Sequence, residues 1–83
     1  MVHRNHIHTA TSKLEVIVLL ITAARELDIH IDEKAVMVGG KDDVHILYKQ
    51  FTQHREMDGL LDEACDRCYE LNMKNYISTY HPT

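Results

Sequence analysis

Residues 11–27 read TSKLEVIVLLITAAREL, a run with apolar side chains on nearly every side of a helix. Ser12, followed three residues later by Glu15, has the spacing of a capping box, in which each side chain meets a backbone N–H that the first turn leaves unpaired. Leu14, Ile17, Ile21 and Ala24 then recur at alternating steps of three and four, and Val16, Leu19, Leu20, Ala23 and Leu27 occupy the other side. The β-branched residues of VIVLLI would also suit a strand. The cap and the continuation through Ala23, Ala24, Arg25, Glu26 and Leu27 favour a helix over about 12–28.

A helix that is apolar all round must be buried all round. Two other short helices can cover only part of this one, and the uncovered stripe would be an exposed patch of the kind that marks protein–protein contact. The sequence therefore predicts a dimer or an unidentified protein partner, with Val16, Leu19, Leu20, Ala23 and Leu27 as the interface. On that expectation Ile17→Asp unfolds the domain, whereas Leu20→Asp gives a folded monomer.

Two further helices are expected, over about 42–54 and 58–76. Asp42 and Asp43 suit a first turn, where they complement the positive end of the dipole. Val44, Leu47, Tyr48, Phe51 and His54 follow with helical spacing. The third helix has a seam of Met57, Leu61, Ala64, Cys68 and Leu71, at steps of 4, 3, 4 and 3. The two seams are out of phase near residues 54–59, where Gly59 also lies, so a break is placed there. Between the first two helices, Ile29, Ile31, Val36 and Val38 alternate with other residues before Gly39-Gly40. The joint over 29–40 is read as irregular or as a short β-hairpin, which is marginal unless it packs on a helix.

The fold class is thus mainly α, a small three-helix domain that is dimeric. At 83 residues the chain is read as a single domain over 1–83, near the lower limit for a core without staples. Residues 1–10 are expected to be a flexible or extended N-terminal arm and 77–83 a C-terminal tail. Hydrophobic residues make up 45% and charged residues 27%, which argues against disorder. The net charge is −4 and the nine Lys and Arg residues are spread along the chain, so no basic stripe exists to neutralise phosphates and nucleic acid is not expected as a partner. The first ten residues lack the apolar stretch of a signal peptide, and the longest apolar run, Val16 to Ile21, falls well short of the roughly 20 residues of a membrane span. A cytoplasmic location is expected.

The one short motif with chemical content is Cys65-x-x-Cys68. Free cysteine behaves as a small apolar residue, and both positions fall on or beside the seam of the third helix. A redox pair needs a helix N-terminus to lower the thiol pKa, and this pair lies inside a helix. Core packing is the favoured reading. The alternative is a small structural-zinc module using Cys65, Cys68, His3 and His6, since a tetrahedral site takes two thiolates and two imidazoles. A thiol redox switch comes third. Asp42-x-x-His45 is a fragment of a di-iron carboxylate pattern that needs several more ligands. VGGKDD is an incomplete phosphate loop whose two aspartates would repel the ligand. Asp62, Glu63, Asp66 and Glu70 read as a solvated helix face, and Ser12 is committed to a cap.

No catalytic residue, metal or cofactor is assigned. The expected function is that of a small acidic non-catalytic regulator, binding another protein through an apolar helical surface. Its size and simplicity are those of phage- or plasmid-encoded antitoxins, antiholins and host-enzyme inhibitors, which is a fold-level analogy.

Overall fold

A computed structural model describes the backbone of residues 1–34 and 43–80, and the side chains of residues 1–34 and 45–73. Among the described residues four α-helices run in the order α1 (Arg4–His8), α2 (Lys13–Glu26), α3 (Asp43–Phe51) and α4 (Asp58–Tyr80), with a 3-10 turn at Arg55–Met57 before α4. No strand occurs among the described residues. The second arm of the expected hairpin, with Val36, Val38 and the Gly39-Gly40 turn, lies outside them. None of the described helices is long and apolar enough to cross a membrane.

α2 begins as its sequence implies. The Ser12 hydroxyl accepts a hydrogen bond from the Glu15 backbone N–H at 3.1 Å. The Glu15 carboxylate reaches one residue further back than a capping box requires, taking the Thr11 backbone N–H at 2.7 Å and the Thr11 hydroxyl at 3.0 Å. These two bonds hold the Glu15 carboxyl below its ordinary value of 4.5. A depressed carboxyl contributes stability above its unfolded pKa and loses it as pH falls through the lower folded value. Glu15→Gln is therefore expected to flatten the fall in thermal stability below about pH 4.3, which melting curves across the acid range would register.

The helix ends in a Schellman arrangement. Asp28 has φ 57°, its N–H donates to the Arg25 carbonyl at 3.1 Å, and the Ile29 N–H reaches back to the Ala24 carbonyl at 2.8 Å. That left-handed position favours glycine, and a carboxylate there also opposes the negative end of the helix dipole. Asp28→Gly is expected to stabilise the fold by about 0.5 to 1 kcal/mol, measured by urea unfolding.

Beyond the cap, Ile31 is buried and Ile29 half-buried, while His30 and Asp32 are exposed. The burial follows the two-residue alternation of Ile29 and Ile31, and the backbone here is met by a side chain. The Gln50 amide accepts from the Asp32 N–H at 2.7 Å and donates to the Asp32 carbonyl at 3.4 Å, which pins this segment to α3.

The principal departure from expectation is at the N-terminus. Residues 1–10 are not a flexible or extended arm: Arg4–His8 is helical, and Ile7 and Ala10 are completely buried. α1 packs on both α2 and α4. With this fourth element in place, α2 buries Val16, Ile17, Leu20, Ile21, Ala23 and Ala24 together. At about 100° per residue these form one continuous arc of roughly 160°, not two separate faces. Leu14 and Val18 stand outside it, 62% and 51% exposed.

Leu47 and Phe51 carry the buried side of α3, Leu60, Leu61 and Ala64 that of α4, and Met57 is the buried residue of the 3-10 turn between them. Tyr48 is exposed, and His54 is half-buried beyond the helix end, at the start of the 3-10 turn. That turn is the expected break. Gly59 does not make it, since it lies within the first turn of α4.

Candidate functional site

The proposed interface residues take different places. Val16, Leu20 and Ala23 are buried inside the chain at 0%, 0% and 2% exposure, so they cannot present a surface. The cause is the N-terminal segment, where Ile7 of α1 and Ala10 just after it belong to the same core. Leu19 is half-buried and packs at the edge of that core, and Leu27 remains exposed. Leu27 lines a cleft of about 220 Å³ with Val2, His3, Arg4, Ala23 and Leu60. Glu26 also lines it, and its carboxylate takes the Val2 N–H at 2.9 Å and lies 3.2 Å from the Met1 amino group. Pockets for small molecules are commonly 300 Å³ or more, so this space is small for one.

Charged groups join α1 to α4. His8 Nδ1 lies 2.9 Å from Glu63 Oε1, and an Arg4 guanidinium nitrogen lies 3.9 Å from Glu63 Oε2. Glu63 was read as part of a solvated face, but only 17% of its side chain is exposed. Asp62 and Asp66 do face water. The His8–Glu63 pair has the form of a carboxylate-oriented imidazole, and its evident work is to seat α1. On the same join, Arg67 donates from Nε to the Ala10 carbonyl at 2.7 Å and from its guanidinium to Glu70 at 3.0 Å. Its side chain is 14% exposed. Arg67→Ala is expected to cost about 1.5 to 3 kcal/mol in chemical denaturation, because it removes a charged donor from a carbonyl shut away from water.

Sequence reasoning missed Arg4, Glu63 and Arg67 for one reason. Their partners are more than 50 positions away, as with the 55 residues separating His8 from Glu63. For Glu63 and Arg67 the available signal was their position at the margin of the α4 seam; Arg4, on α1, had none.

The cysteines also separate. Cys68 is half-buried and packs against the core, whereas Cys65 is exposed. Burial pushes the Cys65 thiol up, and Asp62 and Asp66 add to the shift. Burial also raises Cys68, with Lys13 opposing and Cys65 reinforcing the change. Both thiols thus carry less thiolate at neutral pH than an ordinary cysteine, the reverse of what a thiol switch requires.

His3 and His6 pair with each other on α1. Their rings stack at 5.7 Å, and the His3 backbone N–H donates to His6 Nδ1 at 2.9 Å. Among the described residues no three His, Cys, Asp or Glu side chains come together in a way that could hold a metal ion. His3 and His6 therefore do not complete a site with Cys65 and Cys68 in one chain.

The remaining feature is apolar. Leu14 and Val18 lie one turn apart on the outer side of α2, and Tyr69 and Met73 one turn apart on α4, at 68% and 41% exposure. Comparison with protein-family models, curated proteins and solved structures gives no match.

Proposed function

We propose that this chain is a small non-catalytic regulator that binds protein, first of all a second copy of itself. Cytoplasmic action fits this reading, as does a phage- or plasmid-encoded antitoxin, antiholin or host-enzyme inhibitor. The size of the chain and its helical build support that class by analogy alone.

The observation that carries the reading is the pair of apolar stripes left in water, Leu14 with Val18 and Tyr69 with Met73. Single exposed apolar residues are ordinary on a protein surface, but aligned ones one helical turn apart form a contact strip. Burying each large side chain in an interface recovers about 1.5 to 3 kcal/mol. These strips replace the buried Val16, Leu20 and Ala23 as the surface on offer.

Sedimentation velocity at tens of micromolar tests the homodimer. The wild-type chain is expected to sediment as a dimer, and Tyr69→Glu to give a monomer with an unchanged helical circular-dichroism spectrum. A wild-type chain that stays monomeric at high micromolar concentration would remove the homodimer.

A further inference from the structure

Ile7 is the one apolar residue of α1, and it shares a core with Val16 and Leu20 of α2 and with Leu61 and Ala64 of α4. A helix of five residues has no stability of its own, so these contacts hold it. Apart from Ile7 and Ala10, the buried apolar residues among those described come from α2, α3, α4, the 3-10 turn and Ile31. The three longer helices thus keep a shared core, and α1 covers one side of it.

The other ties of α1 are polar and reach into water. His8 Nδ1 meets Glu63 Oε1 at 2.9 Å and an Arg4 nitrogen lies 3.9 Å from Glu63 Oε2, with the His8 and Arg4 side chains 60% and 67% exposed. Exposed pairs of this kind each contribute little. The chain just after them is fixed more firmly. Arg67 donates to the Ala10 carbonyl at 2.7 Å in a part-buried place, and Thr11 donates twice to Glu15. Weak ties ahead of a fixed point let residues 3–8 lift about residues 9–12 while α2, α3 and α4 stay packed.

The place α1 would leave has a chemical preference. Glu63 is only 17% exposed, and its two oxygens each face a base of α1. A sheltered carboxylate is costly to leave unpaired. An occupant therefore needs an aliphatic residue for the core and bases three positions before it and directly after it, the Arg4-x-x-Ile7-His8 pattern of α1.

We propose that α1 is an autoinhibitory contact, the built-in occupant of a peptide groove between α2 and α4. The external occupant is a short helix of another protein that carries the same base, aliphatic and base pattern and displaces α1. This rests on the reading that the chain binds protein and is independent of the homodimer. α1 is tethered beside the groove and competes at high effective concentration, so the apparent affinity for the partner is lowered by the fraction of chains that are open. A change that loosens α1 without touching the groove raises that fraction.

The probe is a capped fluorescent peptide of residues 3–12, added to the full chain and followed by anisotropy. His8→Glu sets a carboxylate against Glu63 from an exposed position and leaves the core alone, so the helical circular-dichroism spectrum should be kept. This variant is expected to bind the peptide about three- to tenfold more tightly than the wild type. Adding Glu63→Lys restores an opposite-charge pair and repels the bases of the peptide, which should return binding to the wild-type level or below. Hydrogen exchange of the wild type needs no variant. The Thr9 and Ala10 amides bond back to Asn5 and Ile7, and they should exchange through an opening nearly insensitive to low urea while the α2 amides follow global unfolding. Thr9 and Ala10 amides that exchange only with global unfolding would overturn the proposal. So would equal peptide binding by the wild type and His8→Glu, or binding to His8→Glu that Glu63→Lys leaves unchanged. Sedimentation reads the homodimer separately, so either reading can fail alone.

Discussion

Leu20→Asp is expected to leave the chain without a cooperative folding transition. Leu20 is completely buried near the middle of the arc that α2 turns toward α1, α3 and α4. The substitution forfeits about 1.5 to 3 kcal/mol of apolar burial. It also places a carboxylate among apolar side chains, and the effective penalty for an unpaired buried ion is several kcal/mol. A domain of 83 residues holds a total stability of only about 4 to 12 kcal/mol. The two losses together consume most or all of it. The control is the same substitution two residues earlier. Val18 is 51% exposed in the single chain, so at concentrations where the chain is monomeric Val18→Asp should change stability by about 0.5 kcal/mol or less. Thermal melts followed by circular dichroism separate the two variants. A Leu20→Asp chain that melts cooperatively near the wild-type temperature would return Leu20 to the surface, where the sequence pattern alone had put it.

That misplacement shows what the sequence can and cannot carry. α2 was legible because its start is set locally, by Ser12 and the Glu15 N–H three residues on. The buried side of α4 and of the turn before it was legible because Met57, Leu61 and Ala64 keep the helical period, and all three are in the core. Local rules also located the break between α3 and α4, although the 3-10 turn makes it and Gly59 does not. The candidate surface failed because it depended on counting elements. Three helices cannot enclose α2, but four can. α1 offers no period to count, since one of its five residues is apolar. A helix that short is not stable by propensity and forms only where tertiary contacts hold it. Those contacts, Ile7 in the core and His8 on Glu63, join opposite ends of the sequence. Cys65 was misread for a related reason. It neighbours the seam of α4 in sequence, but α4 meets its partners through Leu60, Leu61 and Ala64 and leaves Cys65 in water.

Ile7→Ala is the second large effect expected, a loss of about 2 to 4 kcal/mol. Ile7 is fully buried, so the substitution removes apolar burial and leaves a cavity that a five-residue helix is too short to close by shifting. Part of the loss should be local. The Thr9 and Ala10 amides bond back into α1, at 3.1 Å each, and their hydrogen-exchange protection should fall further than that of the α2 amides. Urea unfolding gives the global cost, and exchange shows where it is spent. Asn5→Ala on the exposed side of the same helix is the control and should cost about 0.5 kcal/mol or less. The result bears on function as well as fold. If Ile7 holds α1 in place, Val16, Leu20 and Ala23 are sealed within one chain, and Leu14, Val18, Tyr69 and Met73 are the apolar residues left for the proposed contact. An Ile7→Ala chain as stable as the wild type would make residues 1–10 an arm again and reopen α2 as the docking face.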